Sequence, residues 1–156
     1  MNKQESYKWA SKRIRAQVQR HVDIVATCAN TTAILKEYFE FFWVGFYFYR
    51  NEHLILGPFQ GPPACVKLTL DKGVCAQAVK ERKTILVPNV HDFPGHVACD
   101  ERSNSEIVIP TFDSNGQIRA VLDIDSIHFD SFDDTDQNYL EQISGQLASI
   151  WNCASE

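Results

Sequence analysis

The sequence lacks the features that mark membrane proteins and nucleic-acid-binding proteins. Its longest apolar stretch, residues 41–49, is far too short to cross a bilayer. Lysine and arginine nowhere form a dense cluster, and the formal net charge of −5 argues against a polyanion or an anionic membrane as a partner. Repeats and low-complexity segments are also absent. We therefore expect one folded domain spanning residues 1–156, with no nucleic-acid or membrane partner.

A secretory signal and closely paired cysteines are missing as well. Residues 1–20 are polar and charged, without the apolar core of a signal peptide. The five cysteines are an odd number, and no two of them have C-x-x-C spacing. These observations predict a cytoplasmic protein whose thiols are either reactive or buried. Cys28 and Cys153 are interpreted as small buried hydrophobes, whereas Cys65, Cys75 and Cys99 lie in turn-rich segments and need another explanation.

Hydrophobic periodicity predicts an α+β fold, in which an antiparallel sheet is flanked by N- and C-terminal helices. An opening helix is expected from Ser6 to about Tyr38, with Val22 among its apolar positions. The expected strands lie at residues 43–49, 53–56, 66–70, 84–87, 107–110 and 118–125, and a short helix lies at residues 73–81. The closing helix carries one apolar stripe formed by Leu140, Ile143, Leu147, Ile150 and Trp151. We expect the helices to cover one face of the sheet, and residues 57–65, with three prolines, to be irregular.

A long irregular segment, residues 88–104, carries Cys99 and His96. Loops of this length inside a compact domain are usually functional. A cysteine nucleophile must be a thiolate, so its surroundings must lower its pKa or supply a base. His96 either acts as that base or only braces the loop by hydrogen bonding, and the sequence leaves both roles open.

The two other turn-rich cysteines suggest redox chemistry. Cys65 lies in the proline-rich segment, and two cysteines on separate loops of one sheet face can form a disulfide during turnover. Cys75 lies at a predicted helix start, where the dipole favours a thiolate, although a packed helix residue is an equal alternative. A zinc site formed by Cys65, Cys75, Cys99 and either His91 or His96 is chemically reasonable. The wide spacing of these ligands makes that signal weak.

Acidic and aromatic residues form a second group of candidates. Asp123 and Asp125 alternate with apolar residues, so both lie on one strand face, and Glu106 precedes another apolar strand. Such acids usually form a solvated face. Two carboxylates at i and i+2 nevertheless repel each other unless a ligand amine or a retained proton relieves them. Trp43 and Tyr47 share a strand face, where they either wall a small pocket or belong to the core.

Several short motifs, in this order along the chain, resemble those of the free methionine-(R)-sulfoxide reductases, which are single-domain GAF proteins. The motifs are residues 43–47 (WVGFY), 56–61 (LGPFQG), 63–65 (PAC), 72–75 (KGVC), 93–100 (FPGHVACD), 103–108 (SNSEIV) and 122–125 (LDID). Val97 and Ala76 stand where the family pattern suggests isoleucine and glycine, and neither change affects the expected chemistry.

The resemblance implies a role for each candidate residue. Cys99 is the expected nucleophile that attacks the sulfoxide sulfur and becomes a sulfenic acid, and Cys65 is the expected resolving thiol, which closes an intramolecular disulfide. Cys75 matches a third family cysteine that assists in disulfide exchange. The acids that polarise the sulfoxide oxygen and hold the substrate amine are Glu106, Asp123 and Asp125. The aromatic pocket around the substrate methyl group is formed by Trp43 and Tyr47.

The resemblance also implies the partners. The substrate is free methionine-(R)-sulfoxide, a thioredoxin-like dithiol recycles the enzyme, and homodimers are expected. No metal or organic cofactor is expected, because thiols supply both electrons. Two alternatives remain from the residues alone: a GAF domain that senses a small ligand without catalysis, and a zinc-stabilised interaction domain. The cysteine set argues against the sensor, which has no need of two thiols at one pocket.

Overall fold

The structure, a computed structural model, describes residues 1–20 and 23–153, with side chains to Trp151. Its single antiparallel sheet contains, in chain order, β1 (Trp43–Arg50), β2 (His53–Gln60), β3 (Lys67–Leu68), β4 (Ile85–Val87), β5 (Ser105–Phe112) and β6 (Ile118–Ser126). The helices are α1 (Lys3–Val18), α2 (Ile24–Tyr38), α3 (Val74–Glu81), α4 (Asp134–Gln146) and α5 (Ala148–Cys153), with a 3-10 turn at Val90–Asp92. The spatial strand order β3-β2-β1-β6-β5-β4 places β1 and β6 at the centre.

Apolar clusters lie on both faces of the sheet, because side chains alternate along each strand. On one face, Val44 and Phe46 pack against α1, α2, α4 and α5. On the other face, Trp43 and Tyr47 pack against α3 and the loops. The predicted α+β sheet with flanking helices is confirmed, but the expectation that only one face is covered is wrong. The predicted stripe from Leu140 to Trp151 is buried, and each such large side chain contributes about 2 kcal/mol of burial free energy.

The opening segment forms two helices rather than the single helix that periodicity predicts. Helix α1 ends at Val18, and α2 begins after Asp23, whose carboxylate accepts a hydrogen bond of 3.0 Å from the Ala26 N–H. This N-cap starts a new helix locally, so the continuous helix is wrong, whereas its expected end at Tyr38 is confirmed. The expected apolar position Val22 lies outside the described residues.

The expectation of irregular structure at residues 57–65 is wrong for residues 57–60, because β2 continues to Gln60 and includes Pro58, and it is confirmed for residues 61–65. Two features make room for this proline. On one edge of β2, the pairing with β1 is irregular between Gly45 and Tyr47, and Pro58 lies opposite this irregularity. On its other edge, β2 pairs with β3 only at residues 54 and 55, so Pro58 has no partner strand there among the described residues. Pro58 therefore removes no ladder hydrogen bond that a neighbour needs.

The other local predictions differ from the structure only in their extents. Strand β3 covers two residues of the expected five, and the closing helix divides at Leu147 into α4 and α5. The hairpin turn at residues 51 and 52 places both residues at positive φ, as the twist of a two-residue hairpin requires. Among the described residues, no helix combines the length and the apolarity needed to span a bilayer.

A buried polar contact joins the first helix to α4. The Tyr7 hydroxyl donates to Asp136 at 2.6 Å, and the Lys3 ammonium lies 2.7 Å from the other oxygen of the same carboxylate. Burial, with Asp136 as the second cause, raises the pKa of Tyr7. The tyrosine therefore stays neutral, and α1 is fixed against the core that supports β1.

Candidate active site

A pocket lies on the sheet face that carries α3. Counting the mouth that opens to solvent, the empty space inside it is about 650 Å³. Three segments form its walls: the loop around Pro62, the start of α3, and the loop from His96 to Ser103. The pocket is lined by every residue for which the resemblance implies a role except Cys65, which is joined to it through Cys99.

Cys65 and Cys99 form a disulfide with a Cα–Cα distance of 5.5 Å. Their meeting across two loops, which the sequence suggested, is confirmed. Cys99 is exposed and Cys65 is half-buried. The Tyr47 hydroxyl donates to the Cys65 carbonyl oxygen at 2.8 Å, which ties the proline-rich loop to the centre of the sheet.

The three carboxylates converge because β5 and β6 are adjacent. Glu106 pairs in register with Asp125, and Val108 with Asp123. Strand alternation places Asp123 in the pocket, while Leu122 enters the opposite core as predicted. Glu106 and Asp123 are each only 6% exposed, so the solvated-face interpretation is wrong for these two residues.

Burial without a cation perturbs these acids strongly. Desolvation, followed by repulsion from Asp125, raises the pKa of Glu106 to about 8. Desolvation also raises the pKa values of Asp123 and Asp125 well above the ordinary range, although the Ser103 hydroxyl donates to Asp125. Within residues 1–20 and 23–153, no lysine or arginine pairs with these acids. These carboxyl groups therefore retain protons that can be donated to a ligand. They also have no positively charged partner in the described part of the chain, so a ligand cation can pair with them.

Cys75 is the second residue of α3 and is buried beneath the pocket. Its thiol donates to Asp123, and desolvation and the neighbouring carboxylates raise the pKa of Cys75 well above 9. Of the two alternatives left open for Cys75, the structure supports the packed helix residue, because desolvation and the neighbouring acids outweigh the helix dipole. The ligand atoms of Cys75, Glu106 and Asp123 lie within 4.8 Å of one another, close enough to hold a cation. The zinc set considered from the sequence is not assembled here, because the disulfide uses two of its thiols.

His96 faces the carboxylates rather than solvent. Its Nε2 lies 3.7 Å from Glu106 Oε1, and its side chain is 15% exposed. Desolvation lowers the pKa of His96, so the ring is neutral at neutral pH. His91, the other histidine of this loop, instead contacts Asn104 at 2.8 Å. The contact of His96 with the acid cluster is neither of the two roles, base for Cys99 or brace of the loop, that the sequence left open for it.

The aromatic wall of the pocket packs closely against Gly45. Trp43 and Tyr47 lie with ring centroids 5.9 Å apart, and Phe59 also stacks against Trp43 with a centroid distance of 5.3 Å. A methyl group at Gly45 would lie 2.5 Å from both Phe59 and the Trp43 ring, so only glycine allows this packing. The Trp43 Nε1–H donates to the Pro62 carbonyl at 3.0 Å. Trp43 and Tyr47 therefore meet both alternatives given from the sequence, because they line the pocket and are also part of the buried apolar cluster on this face.

Comparisons with known proteins agree with this geometry. The GAF domain family model matches residues 21–152. GAF domain-containing protein A of Dictyostelium discoideum is 46% identical over 91% of this chain and 90% of its own length. The free methionine-R-sulfoxide reductase of Escherichia coli is 43% identical over 96% of this chain and 91% of its own length. The X-ray structure of free methionine-R-sulfoxide reductase from Neisseria meningitidis with its substrate superposes with a TM-score of 0.94 at 41% identity, covering 99% of this chain and 93% of that one.

The chain belongs to the free methionine-(R)-sulfoxide reductase family. The resemblance stated from the motifs is confirmed, and so is the GAF fold. In this member of the reductase family, sequence reasoning did not single out Phe42 and Ser103, which also line the pocket. Phe42 and Ser103 lie in quoted motifs or directly beside them, but no residue pattern marks them as pocket residues.

The start of α3 is a donor site in this reductase-family pocket. Residues 73–76 line the cavity, and the N-cap Gly73 has no side chain to cap the first turn. Gly73 has φ of +99°, and a methyl group there would approach Val97 to 3.1 Å. Glycine thus allows the Cys99 loop to lie against the helix start, whose N–H groups attract anions.

Proposed function

We propose that this chain is a thiol-dependent reductase of free L-methionine-(R)-sulfoxide, with Cys99 as nucleophile and Cys65 as resolving thiol. The observation that carries the proposal is the Cys65–Cys99 disulfide at the mouth of a pocket lined by three buried carboxyl groups. A ligand sensor needs neither a reactive thiol pair nor acids with raised pKa values. Membership of the reductase family supports the same conclusion.

The pocket suits both ends of a free amino acid. The substrate ammonium supplies the cation that Glu106, Asp123 and Asp125 lack. The substrate carboxylate suits the N–H groups in the first turn of α3, where the helix dipole favours an anion. The methyl and methylene groups contact the wall formed by Trp43 and Tyr47. A methionine sulfoxide within a peptide has neither charge and would leave buried carboxyl groups unpaired.

The reaction requires a thiolate, a proton and a resolving thiol. The Cys99 thiolate attacks the sulfoxide sulfur while Glu106 or Asp125 donates its proton to the oxygen, which weakens the sulfur–oxygen bond. The oxygen passes to Cys99, methionine leaves, and Cys99 remains as a sulfenic acid. The Cys65 thiol then attacks the Cys99 sulfur, water leaves and the disulfide forms. Cys65 and Cys99 are oxidised by two electrons while the sulfoxide is reduced by two.

The separated epimers of the substrate test this proposal. With dithiothreitol as reductant, methionine released from free methionine-(R)-sulfoxide, the S epimer and N-acetylmethionine-(R)-sulfoxide is measured by chromatography. We expect rapid turnover of the first compound and little of the other two, because only the first offers both the matching configuration and an ammonium group. Comparable rates on the N-acetyl compound would remove the proposed role of the carboxylates. The Cys99→Ser variant is the matched control for background reduction by the dithiol.

A further inference from the structure

We propose that the floor of the pocket is a zinc site, called the inner site here, with four ligands: Cys75, Glu106, Asp123 and His96. A zinc ion in the inner site occupies the place of the substrate ammonium and thereby inhibits the chain. Zinc is then an inhibitor of the reaction and not a cofactor. The binding of zinc stands apart from the proposed function, whereas the inhibition rests on it.

Three of the ligand atoms already lie close together beneath the pocket. The Cys75 sulfur and one carboxyl oxygen from each of Glu106 and Asp123 lie within 4.8 Å of one another, and all three residues are buried. Ligand atoms of a tetrahedral zinc ion lie about 3.3–3.5 Å apart, given zinc–oxygen and zinc–sulfur bonds of about 2.0 and 2.3 Å. Each ligand atom therefore needs to move inward by less than about 1 Å, which side-chain rotation can supply without a change in the sheet.

Asp123 provides an observation that is independent of this clustering. Its side chain lines the pocket and is 6% exposed, but its Oδ1 atom is buried and has no hydrogen-bond partner among the described residues. Its contacts with Glu106 and with the Cys75 thiol thus leave one oxygen unused. Buried polar atoms in folded proteins are nearly always paired, so an unpaired oxygen in a pocket indicates a ligand that binds it.

His96 is placed to be the fourth ligand. Its Nε2 atom lies 3.7 Å from Glu106 Oε1, which is close to the separation of two ligand atoms on one zinc ion. The ring lies on the loop that carries Cys99, and its side chain is 15% exposed. A ligand role explains why this histidine faces the acids rather than solvent.

The mixture of ligand types selects zinc among the common cations. A thiol and an imidazole combined with two carboxylates suit Zn²⁺, whereas Ca²⁺ and Mg²⁺ take oxygen ligands and Cu⁺ prefers sulfur. In the described part of the chain these acids have no lysine or arginine partner, so a divalent cation supplies charge that the protein does not. On binding, the thiol and the carboxyl groups release their protons to solvent, and the bonds from zinc to sulfur and oxygen form.

The inner site differs from the zinc set considered from the sequence. That set needed Cys65 and Cys99, which are bonded to each other, whereas Cys75 is a free thiol. The inner site can therefore bind zinc in the oxidised protein. Zinc and substrate exclude each other there, because Glu106 and Asp123 cannot bind the metal and pair with an ammonium group at the same time.

Cobalt binding to the oxidised protein tests the inner site without any turnover. Co²⁺ replaces Zn²⁺ as the probe, because its absorption reports tetrahedral geometry and a thiolate ligand. We expect one equivalent of Co²⁺ to bind with a sulfur-to-cobalt charge-transfer band, and added Zn²⁺ to remove that band. Cys75→Ser should lose the band, and Asp123→Asn should bind Co²⁺ at least about tenfold more weakly. Cys28→Ala is the matched control, because Cys28 is a free thiol buried in the core on the opposite face of the sheet, and it should behave like wild type.

Two results of the titration would overturn the proposal. One is the absence of a charge-transfer band in the wild-type protein, and the other is a band of equal strength in Cys75→Ser, which would place the metal on another thiol. Circular dichroism confirms that each variant is folded before the titration.

Single-turnover kinetics test the inhibition. The protein is reduced, freed of the reductant because dithiols bind zinc, and mixed with a smaller amount of free methionine-(R)-sulfoxide. At a zinc concentration about ten times its dissociation constant, the rate of methionine release should fall by about tenfold, and a chelator should restore it. Reduced Cys65 and Cys99 can also bind zinc, so Cys75→Ser is the deciding variant and should keep most of its own zinc-free rate. Equal inhibition of wild type and Cys75→Ser would overturn the inhibitory role, whereas a wild-type chain that releases no methionine without zinc would refute the proposed function and leave the cobalt result standing.

Discussion

Replacing Glu106 by glutamine should stabilise this protein at neutral pH and lower its activity by at least about 100-fold. Glutamine has the same shape as a protonated glutamate and can still accept the hydrogen bond that Asp123 donates. It cannot ionise inside the pocket, and it cannot give a carboxyl proton to a substrate. The stability and the activity of this variant therefore both test whether Glu106 is protonated in the folded protein and donates that proton to the substrate.

The magnitude follows from the raised pKa of Glu106, which is about 8 rather than 4.5. A carboxyl group whose pKa is higher in the folded state binds its proton more tightly there than in the unfolded chain. Its contribution to stability is therefore complete below pH 4.5 and decreases as the pH rises towards 8. Each pH unit in this window is equivalent to about 1.4 kcal/mol, so the rise from about pH 5 to 7.5 removes about 3 kcal/mol. That loss is a large part of the total stability of a typical domain.

The assay is urea unfolding of wild type and Glu106→Gln, both in the oxidised form, at several pH values between 5 and 8. Near pH 5 the two free energies of unfolding should be similar, and at pH 7.5 the variant should be more stable by about 3 kcal/mol. Glu101→Gln is the control, because Glu101 is exposed on the same loop as Cys99 and should give a curve parallel to wild type. A difference between Glu106→Gln and wild type that does not change with pH would refute the reasoning.

Activity supplies the second half of this test. A general acid typically contributes about 100-fold or more to a rate, so methionine release by Glu106→Gln should fall by at least about that factor. A variant that gains stability and loses activity would mark Glu106 as a functional residue retained at a cost to the fold. Near-normal turnover in a normally folded Glu106→Gln protein would assign the proton to Asp125 instead.

Three further substitutions test other parts of the structure. Cys99→Ser should release no methionine in a single turnover, whereas Cys65→Ser should release about one equivalent per site, as chromatography after rapid mixing will show; the opposite pattern would exchange their roles. Burial raises the pKa of Cys75, so its thiol should not take part in disulfide exchange. The Cys65→Ser/Cys75→Ser double variant should therefore keep the residual thioredoxin-dependent turnover of Cys65→Ser, and a further loss would show that Cys75 does take part. Tyr7→Phe removes a hydrogen-bond donor to buried Asp136 and should lower the free energy of unfolding in urea by about 1–2 kcal/mol without changing turnover. A decrease below about 0.5 kcal/mol would show that this hydrogen bond contributes little to stability.

The sequence was sufficient wherever the determining interaction is periodic and local. A period of two along residues 122–125 predicted that Asp123 and Asp125 share a face opposite Leu122, and the structure confirms it. The stripe of the closing helix was predicted for the same reason. The motifs of the two loops indicated that Cys65 and Cys99 belong to one redox pair, although nothing in the spacing of residues 34 positions apart requires a bond.

Only the tertiary structure decided the features that depend on neighbouring strands and on burial. Pro58 is part of a strand only because the β1–β2 pairing is irregular opposite it and β3 ends before it. The helix start at Cys75 left a thiolate and a packed thiol equally open, and burial together with the acids of β5 and β6 decides for the packed, neutral thiol. Glu106 looked like one more acid on a strand, and only burial beside Asp125 without a cation gives it a proton at neutral pH. Periodicity shows which way a side chain points, whereas its charge state depends on desolvation and on partners brought together by folding.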